Sequence, residues 1–435
     1  MRTTRRRLLG GLGAFAGAGA LHGLLPRAAR SQDDSAAVTA RLNADLERHA
    51  SFGDKFSAGP GDVATAGWIA RRLRNAGYDV VESTFEAPFF VARSTQLRSG
   101  EMMAAVIPQA PVVPTGGAGV SATLKLVDSE VGDVRGRIAL VVAPFARHAA
   151  LFPDRGLGQT VRAAAEAGAA AVVIVTTGPS GEAVALNAPG DRPFVAVPAA
   201  VLAPKNAAPF VAAARAGATA TLVLDGEATH RPSPNIVARR TRGERWLAIS
   251  TPRSGWFGCV GERGTGTAVF LELADWVARR FPEESLFLMN TGGHEYFFAG
   301  SHRVLHEAPP PEQTLAWAHI GATLAARNSV ERDGSLATLD EVDPNRSLMT
   351  TDSARAAVAQ AFRGLPGLEQ AVPVRPLAGE LSTFTDLGFA RAFAVIGQHA
   401  WFHTSEDTLE RVDAALLTPV LRAHQRAIEL LVAGH

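Results

Sequence analysis

A short apolar strand that runs into a double glycine constrains this chain more than any other stretch. Residues 285–289 (Ser-Leu-Phe-Leu-Met) form an uninterrupted apolar run of strand length. Asn290-Thr291-Gly292-Gly293 then turns the backbone and delivers His294 and Glu295 where a helix is expected to begin. In open α/β sheets, ligands bind outside the carboxyl ends of the strands. A His-Glu pair at such an end is therefore a candidate site. Further apolar runs at 246–250, 315–320 and 390–396 alternate with helical periodicity at 264–280, 354–362 and 414–432. Two more helices, 36–49 and 62–76, and a strand, 78–85, precede them. Strands alternating with helices imply an α/β sandwich.

The chain has 435 residues and a formal net charge of +1, so no basic surface for nucleic acid is expected. Cys259 is the single cysteine, which excludes an internal disulfide. Thr4-Arg5-Arg6-Arg7-Leu8-Leu9 resembles a twin-arginine signal, followed by a mild Gly/Ala/Leu stretch to Leu25 and a small-x-small site at Ala29-Arg30-Ser31. Residues 1–31 are accordingly expected to direct export to the periplasm or outside the cell. The stretch is short and rich in glycine for a bilayer span, so no stable membrane insertion is expected after cleavage.

The texture changes between 106 and 226. Gly132-Asp133-Val134-Arg135-Gly136 leads to a β run, a helix is expected at 160–167, and Gly168 opens a second apolar run to Val175. A strand is expected near 194–197, and 217–224 closes the unit. This order of glycines and strands resembles the protease-associated (PA) domain, a small β-rich module. The implied organisation is a main domain in two parts, 32–105 and 227–435, interrupted by a PA insertion at 106–226.

The remaining landmarks point to one family. Gly293-His294-Glu295 with Gly300-Ser301 resembles the Gly-Glu-Glu-x-Gly-x-x-Gly-Ser motif of the zinc aminopeptidases of the bacterial aminopeptidase and transferrin-receptor type. His403-Thr404-Ser405-Glu406-Asp407-Thr408 is similar to that family's His-Thr-x-x-Asp-Thr, and Asn235-Ile236-Val237-Ala238 to its early strand. The resemblance implies a three-layer sandwich on a mixed, mostly parallel sheet, and a two-zinc peptidase centre. The ligand positions depart from it. The His-x-Asp motif falls on Thr251-Pro252-Arg253, the bridging Asp on Glu262, the general-base Glu on His294, and a further ligand Asp on Ala318. Glu295 and His403 remain.

Charge decides what these departures imply. Like charges ~5 Å apart repel by several kcal/mol even at an effective dielectric of 20. Two Zn²⁺ beside Arg253 and Arg263, with few carboxylates, are not expected to bind. The first expectation is thus a protein without a cofactor, inactive as an aminopeptidase, that holds a peptide, a small amide-containing ligand or a partner in the old cleft; the transferrin receptor keeps this fold without peptidase activity. The alternative is a hydrolase with a remodelled site. There His294 would act as general base, and a single zinc, if any, would draw on Glu295, His403, His319 and Glu262. Strand alternation from Ala318 is expected to turn His319 away from the site. Arg253 is expected within salt-bridge reach of Glu295 or Glu262, and Asp407 is expected to orient the His403 loop. Residues 329–352 read as an irregular surface insertion. Nothing in the sequence specifies an oligomeric state.

Overall fold

Alternation along the strands builds two cores back to back. The structure, a computed structural model, describes residues 27–127, 131–332, 335–376 and 379–434, with side chains of the first helix from residue 34 onward. Of the expected targeting segment, residues 1–26 lie outside the described residues. In the main domain, strands Trp246–Pro252, Ser285–Thr291, Thr314–Ile320 and Ala392–Gly397 pair in parallel, flanked by antiparallel neighbours Thr219–Arg240 and Arg346–Thr350. Leu247, Ile249, Leu286, Leu288, Ala318 and Val395 point to one face, where helices Arg27–Ala50, Pro60–Asn75, Thr265–Arg280 and Ala414–Ala433 cover them. Ala248, Phe287, Met289, Trp317 and Ala394 point to the other, under the short helices Ala299–Val304 and Leu381–Asp386. Successive strand residues face opposite sides, so a strand buried on both faces reads as a continuous apolar run. The result is the three-layer sandwich. No helix among the described residues is long and apolar enough to cross a membrane.

The second unit grows from the same sheet. Strands Asp79–Ser99 and Thr219–Arg240 form one long antiparallel ribbon whose near half belongs to the main sheet. Its far half joins Met102–Pro108, Val120–Val127, Ile138–Val142, Ala171–Val175 and Ala199–Leu202 in a ring of seven strands closed by the ribbon's own pairing. Closure leaves this small sheet without a free edge. Leu97, Leu124, Leu140, Val173, Ala200 and Leu222 fill it, and helix Gly156–Glu166 packs outside over a further cluster around Val161, Val172 and Ile174. The ribbon's register shifts between Ala92 and Ser94, opposite Gly226 and Asp225. That irregularity marks the neck between the two units.

Two sequence expectations are corrected. Residues 194–197 are not a strand, which lies instead at Ala199–Leu202, where all four side chains are buried. Residues 329–352 are not irregular: Arg327–Arg332 and Ser335–Val342 pair as a hairpin and Arg346–Thr350 extends the main sheet. The hairpin is half-buried or exposed along its length and therefore carries no apolar alternation to read.

Because the two units have separate cores, replacing residues 93–225 by an Asn-Gly hairpin turn between the paired Ala92 and Gly226 should leave a soluble main domain. We expect a single cooperative thermal transition at a lower Tm, read by circular dichroism; insoluble product would show that the cores are not independent.

Candidate functional site

The site assembles from loops at the carboxyl ends of the parallel strands. Gly293 adopts φ +71°, and a Cβ there would lie 2.7 Å from the Phe85 ring, so the turn after the Ser285–Thr291 strand requires glycine. A 3₁₀ turn His294–Tyr296 follows, and Phe297 and Phe298 both occupy the left-handed region at φ +49° and +66°. Cys259 (φ +39°) precedes the π turn Val260–Gly264, and His403 (φ +59°) lies in the last loop. Non-glycine residues pay for such conformations and cluster where a fold fixes side chains for function.

Arg253 does not meet Glu295 or Glu262. It is fully buried, with Nε 2.7 Å from Asp62 Oδ1, Nη1 donating to Asn290 Oδ1 at 2.7 Å and Nη2 to the Pro234 carbonyl at 2.5 Å. Asp62 also accepts from the Ala58 N–H and the Ser233 hydroxyl. The pair ties the helix Pro60–Asn75 to three strands beneath the loops. Sequence proximity to the motif suggested a site carboxylate as partner, but Asp62, 191 residues away, holds the matching charge.

Arg263 takes the place expected of Arg253. Its Nη2 lies 2.8 Å from Glu262 Oε1, and its Nε donates to the Ser254 carbonyl at 3.0 Å. The same Glu262 oxygen is 3.2 Å from His403 Nε2, while His403 Nδ1 lies 2.9 Å from the Ala185 carbonyl of the inserted unit. Burial pushes the Glu262 carboxyl up, but Arg263, His403 and His399 together outweigh it and hold the group below the ordinary range. Asp407 fixes the turn that carries Glu262, accepting from the Gly261 N–H at 2.6 Å and the Glu262 N–H at 3.0 Å. A Cβ at Gly261 would fall 2.7 Å from Asp407 Oδ1, so only glycine fits. Asp407 thus orients the Glu262 turn directly; the backbone of Val260 also donates to its carbonyl.

Glu295 is buried and occupied. Its Oε1 accepts from the Ser57 N–H at 2.8 Å and its Oε2 from the Ser254 hydroxyl at 2.7 Å. Burial raises its pKa, and those hydrogen bonds oppose the rise. Cys259 is fully buried, and burial pushes its thiol well above the ordinary range, which fits a structural role. His302 and His306 are exposed on neighbouring turns.

His294 lies at the cavity wall with 13 % of its side chain exposed, and its Nδ1 is 3.0 Å from Oε1 of a fully buried Glu380. Burial pushes Glu380 up to about 8 against the pull of Arg263, and burial holds His294 well below its ordinary value. At neutral pH the pair is therefore a neutral carboxylic acid beside a neutral imidazole. No sequence signal pointed to Glu380, which sits 86 residues from His294 in a stretch without motif or period.

His319 faces the site, contrary to the alternation argument. Ala318 enters the core under the long helices, whereas His319 lines the cavity on the side of the short helices, edge-on to Phe384. The cavity opens over the opposite face of the strand from the one the motif comparison assumed. His319 Nδ1 is 2.9 Å from the Ser250 hydroxyl, which itself accepts from Trp317 Nε1–H at 2.8 Å. Burial, with Arg263, lowers His319 to about 3, so it is a neutral ring. The cavity, about 270 Å³, is walled by Phe297, Phe298, Phe402 and Ile396 from the main domain and by Ala149, Ala150, Phe152 and Asn187 from the insertion. Among the described residues, no group of three or more His, Cys, Asp or Glu side chains is arranged to hold a metal ion. Of the sequence candidates, His294 and His319 reach the cavity, Glu262 and His403 meet each other beneath it, and Glu295 is turned to the Ser57–Ser254 side.

Residues 108–210 match the PA domain family. Comparison with curated proteins gives no match. Among solved structures, the chain is similar to a zinc aminopeptidase from Bacillus subtilis (TM-score 0.65, 16 % identity, covering 91 % of this chain and 94 % of that one). It is also similar to an aminopeptidase from an Aneurinibacillus strain (0.63, 18 %, 90 % and 93 %) and a peptidase precursor from Shewanella amazonensis (0.68, 15 %, 93 % and 97 %). At these identities the likeness is one of fold: an aminopeptidase-like sandwich with a PA domain inserted.

Breaking a buried ion pair from one side typically costs ~3–5 kcal/mol, because the other charge is stranded. Arg253→Met should therefore lower unfolding free energy by about that amount in urea titration, and Arg253→Met combined with Asp62→Leu should recover a large part. A loss below about 1 kcal/mol would remove this pair from the fold's supports.

Glu380 generates a pH prediction. Its folded pKa, about 8, exceeds the ordinary 4.5, so the folded state keeps a proton that the unfolded chain releases in between. The contribution is complete below the lower value and is lost as pH rises through the upper one. Glu380→Gln, which stays neutral, should lose less Tm than the wild type between about pH 6 and about pH 9, by a few degrees. Parallel profiles would place the Glu380 pKa elsewhere.

Proposed function

We propose that this is an exported, peptidase-fold protein that binds a peptide or small amide-containing ligand in the cleft between sandwich and PA domain, without a two-zinc centre and without aminopeptidase activity. One observation carries the reading: both carboxylates retained at ligand positions are occupied by protein partners. Glu262 is paired with Arg263 and His403, and Glu295 accepts hydrogen bonds at both oxygens. Two zinc ions do not fit this donor set. A guanidinium, which cannot release its proton, already stands against Glu262, and a divalent cation ~5 Å from it would meet repulsion of several kcal/mol. Export rests on the twin-arginine resemblance.

A second reading is favoured by the His294–Glu380 contact. His294 occupies the general-base position of the resembled motif, and a buried carboxyl 3.0 Å behind it could orient the ring. A metal-independent amide hydrolase would use that pair to take a proton from water.

The discriminating experiment uses chelator-treated protein with a panel of aminoacyl p-nitroanilides and a pool of short peptides. No hydrolysis above buffer is expected, with or without zinc. Peptides are expected to slow amide hydrogen exchange around residues 294–298 and 396–402, and zinc is expected to leave Tm unchanged. A zinc-dependent rise in Tm abolished by Glu295→Ala or His403→Ala would overturn the metal-free reading. Metal-independent turnover abolished by His294→Ala would select the hydrolase, and absence of peptide protection would remove the binding role.

A further inference from the structure

Two buried side chains at the cavity have hydrogen-bonding capacity that the described residues leave unused. Arg263 is 1 % exposed and lines the cavity. Its Nε is satisfied by the Ser254 carbonyl and its Nη2 lies 2.8 Å from Glu262 Oε1 in an ion pair, but neither Nη1 nor Nη2 makes a hydrogen bond among the described residues. A buried, unsatisfied donor on a charged group is costly, and such groups in native folds call for an explanation. His319, also 1 % exposed, supplies the second. The Ser250 hydroxyl accepts from Trp317 Nε1–H and lies 2.9 Å from His319 Nδ1. With the Ser250 proton given to Nδ1, the ring carries its own proton on Nε2, a donor on a ring that lines the cavity, and this is the tautomer we take.

The rest of the wall selects what could meet these donors. Asn187, in the lining, accepts from Trp256 Nε1–H at its Oδ1, and its amide NH₂ makes no hydrogen bond among the described residues. No Asp or Glu lines the cavity among the described residues. Its sides are aromatic, with Phe152 and Phe297 stacked at 5.6 Å between centroids. Donors on a cavity whose lining holds no Asp or Glu, inside apolar walls, match a carboxylate on a small hydrophobic body, which would share Arg263 with Glu262. A free amine would set like charge against Arg263.

We infer that the cavity binds the carboxylate end of a small hydrophobic acid, such as a peptide's C-terminal residue, on Arg263 and His319. This rests on the cleft-binding reading above and specifies its polarity: the anionic end of the ligand enters, not the amino end. No bond is made or broken.

The test compares three probes on chelator-treated full-length protein by titration calorimetry: N-acetylphenylalanine, N-acetylphenylalaninamide and phenylalaninamide. The acid is expected to bind at least roughly tenfold more tightly than its neutral amide, and the amine not to bind. Equal affinity of acid and amide would overturn the carboxylate assignment while leaving cleft binding intact. Preference for the amine would overturn it, as would failure of all three probes to bind at about 10 mM; peptide protection at 294–298 and 396–402 judges the cleft reading separately. In Arg263→Gln the acid should lose its advantage over the amide, and a surviving preference would overturn the role of Arg263. That readout is a ratio on one protein, so a moderate loss of stability does not mask it. Should the variant not fold, the wild-type probe series decides alone.

Discussion

The ion pair between Arg263 and Glu262 sets the character of everything above it. Both side chains are fully buried, and the carboxylate is shared with His403. A buried anion must be paired or coordinate a metal, because its isolated charge is too costly to desolvate. Here the compensating cation is part of the chain, so the floor is electrically closed by the protein alone. The guanidinium has a fixed plane and five donors, and its carboxylate and carbonyl partners do not use them all. This leftover capacity gives the cavity a floor of hydrogen-bond donors.

The inserted unit does not sit apart from that floor. The Ala185 N–H donates to the His403 carbonyl, the Ala188 N–H to the Glu295 carbonyl, and Asn187 accepts from Trp256. Ala185 also packs with Phe85, Trp256 and Tyr296 in a shared apolar cluster. Backbone bonds of this kind fix the height of the insertion over the strand ends. Ala185 meets His403 twice, through its N–H at the carbonyl and its own carbonyl at Nδ1. The cavity is thus a property of the two units together, although each has its own core.

A second buried pair, Arg253 with Asp62, does purely structural work a short distance away. It ties the helix Pro60–Asn75 to three strands. Two buried arginines require two anions, and Asp62 and Glu262 supply them. The His294–Glu380 pair adds a carboxyl kept neutral by burial. The whole region is therefore polar without carrying a large net charge.

The α/β sandwich was legible in the sequence because strands buried on both faces leave continuous apolar runs, and the runs at 285–289 and 315–320 mark their strands almost to the residue. The inserted β unit was legible from glycine spacing. The Gly-Gly turn before His294 was legible as a turn, since the bend at Gly293 permits no side chain. What the sequence could not carry were the partners. Asp62 for Arg253 and Glu380 for His294 come from segments distant along the chain, and no local period encodes a contact across the sheet. The facing of His319 depended on which side of the strand the cavity opens, which is decided by the short helices packed there. The hairpin at 327–342 escaped notice because neither face is buried. Residue types and spacing determined the elements and the differences from the resembled motif; only the packed structure decided which charges neutralise one another, because electrostatic pairing acts through space and burial fixes its strength.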